Sequence, residues 1–259
     1  MIDIKKNVEI GKSLAGLQLG SNLSIFLDKD NDGVPDGAAI TSYSLSAGES
    51  VGLIVAANVP SGVTVSQNGS LTLTVNSLNS ASGTKTNVDT ATVTNQSALV
   101  VRKKFSQTSV ATGDVVTVRL DYQNLGSTAT GSVTLTDTLN SSLVYQLNAG
   151  ENWNGTTVNP STGSNDPAGI NYSVTSNTVT AVISSIPANA TGYIEFKVKV
   201  NKTTAGPINN TVNFHYDHDN NSSTATISDL SNTAVVSVAP IYAVKINGSV
   251  SNVGSSSTI

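Results

Sequence analysis

The chain has 259 residues, of which only 12% are charged and 5% aromatic, with a formal net charge of -4. Thirteen Lys and Arg spread thinly over this length make no basic patch, which excludes a nucleic-acid or anionic-membrane partner. Cysteine is absent, so no disulfide framework or thiolate chemistry is available. The sequence is dominated by Ser, Thr, Asn, Val and Gly, a composition that favours strands, because residues branched at Cβ fit a pleated surface.

No stretch carries a 3.6-residue apolar stripe, so helices are not expected. The first six residues, MIDIKK, lack the apolar segment of a signal peptide, and no apolar run reaches the roughly 18 residues of a membrane helix. No membrane insertion is expected.

Residues 1–97 read as a first module with strands predicted at Val8–Ile10, Leu23–Leu27, Ser50–Ala56, Ser70–Val75 and Thr90–Val93. Between the second and third lies an acidic loop, DKDNDGVPD, from Asp28 to Asp36. Asp28, Asp30 and Asp32 followed by Gly33 match the opening of a calcium loop, in which alternating Asp residues turn hard oxygens toward one point. The Val34 carbonyl and Asp36 complete the predicted set. The position of the closing bidentate Glu of an EF-hand is taken by Ala39, and no helices flank the loop, so it departs from that motif. The alternative is a solvated Asx-turn loop holding no ion.

Residues 98–239 read as a second module. Apolar alternation predicts strands at Leu99–Lys103, Val115–Tyr122 and Ser132–Thr136, separated by turn residues around Gly113 and at Asn124-Leu-Gly126. A loop rich in Gly, Asn and Pro follows, from Asn148 to Gly169. Further strands are predicted at Asn171–Val174, Thr178–Ile183, Gly192–Val200, Asn209–Tyr216, Ser223–Ile227 and Thr233–Val238. Short strands at such spacing predict an all-β fold of two tandem β-sandwiches.

The order of a V-x-K strand, G-D-x-V-x-V, N-x-G, VTLTDTL and LVY between Ala98 and Tyr145 resembles the DUF11-type Ig-like repeat of prokaryotic surface proteins. LSAGESVGLIVAANVPSGV in the first module, Leu45 to Val63, resembles it too. The resemblance implies an Ig-like sandwich and a position on the cell surface.

Residues 240–259 form a tail, with IYAVKINGSVSNVGSSSTI after Pro240. Asn252-Val-Gly254 sits where Asn124-Leu-Gly126 sits in the second module, and Tyr242–Lys245 echoes Leu99–Arg102. The tail therefore reads as the opening strands of a module whose remainder is missing, while the first module lacks such an opening. Donation of the tail to the first module of the next copy, through Tyr242, Val244, Ile246 and Val250, would mend both defects and build an open head-to-tail homopolymer. The expected function is a structural subunit of an extracellular filament or surface layer. Two alternatives stand beside it: a tail continuous with a further module of one long chain, and a tail folded back on its own first module. The rival function is an adhesin or stalk segment with a binding role, with a carbohydrate contact at Trp153.

A weaker metal candidate is Asp217, Asp219 and Asn221, flanked by His215 and His218 in an expected loop. No nucleophile elbow, phosphate loop or zinc-helix motif occurs, so turnover catalysis is not expected. Sequons at Asn22, Asn68, Asn95, Asn140, Asn154, Asn171 and Asn247, among others, leave surface glycans as a weak option.

Overall fold

The computed structural model describes residues 6–16, 23–46, 51–57, 62–77, 84–161, 165–221 and 226–240, with 6–16 known by their backbone course. Every regular element among them is a strand, and the fold is all-β. No helix among the described residues is long and apolar enough to cross a membrane.

The N-terminal strands are β1 (Lys6–Gly16), β2 (Ser24–Asp28), β3 (Ser42–Leu45), β4 (Gly52–Ala56), β5 (Asn68–Ser77) and β6 (Lys85–Thr92). They make an antiparallel sheet in the order β3-β1-β5-β6 and a separate β2-β4 pair. The buried hydrophobics described in this region are Leu23, Ile25 and Leu27. Along β5, Leu71 to Ser77 are half-buried on both faces, as are Leu53, Ile54 and Val55 of β4. β3 was not anticipated, because Ser42-Tyr-Ser-Leu is half polar and follows a Gly/Ala-rich segment.

The following strands are β7 (Leu99–Phe105), β8 (Ser109–Val110), β9 (Val115–Asn124), β10 (Val133–Thr138), β11 (Leu143–Tyr145), β12 (Asn152–Trp153) and β13 (Thr156–Thr157). Then come β14 (Ile170–Thr175), β15 (Thr178–Ile183), β16 (Thr191–Val200), β17 (Gly206–Asn210), β18 (Asn213–Asp217), β19 (Thr226–Leu230) and β20 (Ala234–Val238). One sheet runs β14-β15-β10-β18-β19 and the other β13-β12-β16-β9-β7, with β11 also on β16. A third ladder, β17-β20-β8, contains the parallel pair β20/β8.

Alternation in β9, β10, β15 and β16 sends every second residue inward, which is the period of a half-buried strand. Val118, Leu135, Leu143, Ile194, Phe196 and Val236 are at most 1% exposed and share one continuous core. Each such side chain contributes about 1.5–3 kcal/mol by leaving water.

Several predicted bounds shift, with β1 running from Lys6 to Gly16 against Val8–Ile10, β6 from Lys85 to Thr92 against Thr90–Val93, and β19 reaching Leu230, past the predicted end at Ile227; two further elements differ in kind. The Asn148–Gly169 loop contains the short hairpin β12–β13, closed over Asn154 and Gly155, both at positive φ. The strand predicted as Asn209–Tyr216 is two strands in different ladders, β17 on β20 and β18 on β10. Between them Val212 is held by Ser231, whose hydroxyl accepts the Val212 N–H at 2.9 Å. The chain changes ladders there, so the run is one in sequence and two in space.

The junction at 93–98 is pinned by hydrogen bonds. Leu125 donates to the Ala98 carbonyl at 2.8 Å, the Ser127 hydroxyl to Asn95 at 2.6 Å, and the Ser97 hydroxyl to His218 at 2.7 Å.

Candidate functional sites

The acidic loop leaves β2 at Asp28, which is 6% exposed. Its carboxylate accepts the backbone N–H groups of Asp32 at 3.0 Å and Gly33 at 3.1 Å. Asn31 and Gly33 take positive φ, which wraps the chain about that carboxylate. Carboxylate oxygens of Asp28, Asp30 and Asp36 lie within 4.8 Å of one another.

Asp32 is turned differently. Its Oδ1 accepts the Val34 N–H at 2.8 Å and its Oδ2 lies 3.9 Å from Lys104 Nζ. Burial pushes the Asp28 carboxyl above its ordinary range against the two amide hydrogen bonds, and the charges of Asp32 and Asp30 add to the rise. Three crowded carboxylates with one of them disfavoured as an anion suit a hard divalent cation, to which Asp28, Asp30 and Asp36 would each lend an oxygen. The loop also touches the second unit: Arg102 Nε donates to the Gly33 carbonyl at 3.0 Å, and Asn232 Nδ2 donates to the Asn31 carbonyl.

The weaker candidate residues are placed otherwise. Asp217 ends β18, with its backbone carbonyl accepting from Gly131 at 2.8 Å. The Gly131 hydrogen faces the Asp217 carboxylate so closely that a Cβ there would collide with it. Asp219 Oδ1 accepts the Asn221 N–H at 3.1 Å, closing an Asx-type turn. His215 lies within β18 on its exposed side, not in a loop, because the alternation Phe214-His-Tyr216 sends the two rings inward. Trp153 is half-buried, packs on the core and donates from Nε1 to Tyr122 Oη at 2.7 Å. The donor residues Tyr242, Val244, Ile246 and Val250 lie outside the described residues.

A second constellation was missed by motif reading and lies inside the core. Lys103 of β7 and Asp137 of β10 stand on opposite sheets, and both side chains are fully buried. Lys103 Nζ donates to Asp137 Oδ2, and also to Asn210 Oδ1 at 3.1 Å. Asn210 Nδ2 donates to Asp137 Oδ1 at 2.7 Å. The backbone of Lys103 is clamped by Asn232, whose Oδ1 accepts its N–H at 2.7 Å and whose Nδ2 donates to its carbonyl at 2.8 Å.

Burial lowers the Lys103 ammonium from its usual range, with Asp137 opposing, and raises Asp137, with Lys103 opposing. Desolvation of such a pair costs several kcal/mol per ion, on the order of what their attraction returns. The signal in sequence was register. Leu99 and Val101 put Lys103 on the inward face of β7, and Val133 and Leu135 put Asp137 on the inward face of β10.

No family model matches the chain, and no curated protein matches it. Among solved structures, the major pilin subunit BcpA of Bacillus cereus is 14% identical over 85% of this chain and 64% of that one, with a TM-score of 0.44. The full-length major pilin SpaD of Corynebacterium diphtheriae is 12% identical over 89% and 58%, with a TM-score of 0.39. The collagen-binding domain of a Staphylococcus aureus adhesin is 13% identical over 57% and 99%, with a TM-score of 0.35. The chain thus spans less than two thirds of either pilin. The all-β assignment rests on the ladders themselves.

Proposed function

We propose that the chain is a non-enzymatic structural subunit of a cell-surface filament or layer, built from modules of the DUF11 type. Subunits join head to tail, residues 241–259 of one copy completing the first unit of the next. The observation behind this reading is the contrast between the two units. The second closes a continuous core between its sheets, whereas β4 and β5 of the first leave Leu53, Val55, Leu71, Leu73 and Val75 half-exposed. Among the described residues the ladder β3-β1-β5-β6 and the pair β2-β4 end in strands paired on one side only, where a donated strand would take backbone N–H and C=O groups and apolar surface out of water together. Donor and acceptor are different surfaces, so the contact does not close on itself and growth is linear.

Calcium is the cation proposed for Asp28, Asp30 and Asp36, with Asp32 and Val34 as further oxygen donors after rearrangement. Bound there, it would stiffen the loop that Arg102 and Asn232 hold against the second unit.

Negative-stain electron microscopy of the full chain beside a chain ending at Pro240 tests the assembly. Filaments from the full chain alone support the reading. Isolated particles from both overturn it and leave a string of modules joined only by its own backbone.

A further inference from the structure

A lysine amine, a carboxyl group and a carboxamide meet in a dry core, arranged around one another in a closed triangle. The Asp137 carboxylate touches Lys103 Nζ through Oδ2 and Asn210 Nδ2 through Oδ1, while Nζ reaches Asn210 Oδ1 at 3.1 Å. One carboxyl group therefore contacts both an amine that can attack and an amide nitrogen that can leave. A purely structural ion pair needs no such arrangement, since a backbone carbonyl or a second carboxylate would satisfy the lysine as well.

We propose that Lys103 and Asn210 become joined by an intramolecular isopeptide bond, formed once after folding with Asp137 as the proton-transfer group. A proton passes from Nζ to Asp137, leaving a neutral amine beside a neutral acid, the forms that burial favours on both sides. The Nζ lone pair attacks Asn210 Cγ, and the carbonyl electron pair moves onto Oδ1. Asp137 then gives its proton to Nδ2 and takes one from Nζ. Collapse of the tetrahedral centre restores the C=O and expels Nδ2 as ammonia. One C–N bond forms, one breaks, nothing is oxidised or reduced, and Asp137 ends protonated, holding one proton net from the lysine ammonium. The balance is Lys–NH₂ plus Asn–CONH₂ giving Lys–NH–CO–Asn plus NH₃.

The core supplies what the step needs. Val101 and Leu135, the inward neighbours of Lys103 and Asp137 on the same strands, are 3% and 1% exposed, so water is kept from competing as the nucleophile. The Asn232 clamp on the Lys103 backbone fixes the attacking side chain at its root. The reacting residues are 107 apart in sequence, so only the folded sandwich brings them together.

The bond would also serve a subunit under tension. Tension entering at β7 would cross directly to β17, the partner of β20 from which the chain leaves the unit, and the residues between Lys103 and Asn210 would be relieved. The chemistry itself stands whether or not filaments form.

Intact-mass spectrometry of the denatured full chain, with peptide mapping, decides it. The expected result is a mass below that of the sequence by one ammonia, and a branched peptide joining the Lys103 and Asn210 segments. Lys103→Arg, Asp137→Ala and Asn210→Ala each return the full sequence mass. A wild-type chain at full sequence mass overturns the proposal without reference to any variant. Ammonia loss that persists in Asn210→Ala also overturns it, by assigning the loss to succinimide at an Asn-Gly pair such as Asn154-Gly155.

Discussion

Arg119 shows how a charged side chain is used on the outer face of a strand in this molecule. Its Nε donates to Asp121 and its Nη1 to Glu195, both at 2.8 Å, and its guanidinium lies 3.7 Å from the centre of the Tyr193 ring. Burial alone would raise Glu195, but hydrogen bonds from Arg119 and Asn152 outweigh it and hold the carboxyl below its ordinary value near 4.5. A carboxylate held low in the folded state adds stability above its unfolded value, and that stability is lost as pH falls through the folded one. Glu195→Gln is therefore expected to cost about 0.5–1 kcal/mol at pH 7, modest because the pair is partly solvated. Urea midpoints of wild type and variant should converge as pH drops below 4.5, whereas a gap independent of pH would show that charge is not the cause.

Asn124 and Gly126 were legible as a turn, yet their deeper role was not. The buried Asn124 amide donates to the carbonyls of Thr128, Ile186 and Pro187 and accepts from Ala98 and Gly126, tying three separate segments together. Gly126 passes so close to Gln96 and Ser97 that a Cβ would strike the backbone there. Sequence names the turn residues, but the segments they meet lie far along the chain.

At the scale of the element, period-two alternation located most of the second unit's strands to within a residue or two, because each has one buried and one exposed face. The Asn209–Tyr216 run failed for a physical reason. Alternation continues through Thr211 and Val212 while the hydrogen-bonding partners change from β20 to β10, and pairing leaves no trace in a local pattern. That same change of ladder leaves Asn210 at the end of β17, turned toward Lys103 and Asp137. A cross-link there closes a loop of 107 residues, worth about 4–5 kcal/mol on a chain-entropy account of the unfolded state.

The acidic loop was the clearest local motif, and the structure groups Asp28, Asp30 and Asp36 while turning Asp32 toward Lys104. Limited proteolysis between Asp28 and Gly37 probes the proposed cation at its own scale. Calcium at about millimolar level, the range of extracellular modules, is expected to slow cleavage several-fold in wild type and not in Asp28→Asn/Asp30→Asn. Equal cleavage with and without calcium would leave the loop an ion-free turn.

Across the molecule, the two sets of strands share no ladder among the described residues, and hydrogen bonds at the 93–98 junction and the acidic loop link them. Their contrast in closure is the ground for the proposed assembly. Among the described residues, the second unit has a continuous buried core, whereas β4 and β5 of the first are half-covered. The echo of Asn124-Leu-Gly126 in Asn252-Val-Gly254 is legible in the residues alone.

The most direct measurement is titration of a synthetic peptide spanning residues 241–259 into the chain ending at Pro240, followed by calorimetry. Strand donation predicts saturable one-to-one binding, a rise in the thermal transition of the first unit, and arrest of filament growth when the same peptide is added to the full chain. An absence of binding under conditions where the full chain assembles would contradict strand donation and require a different contact between subunits.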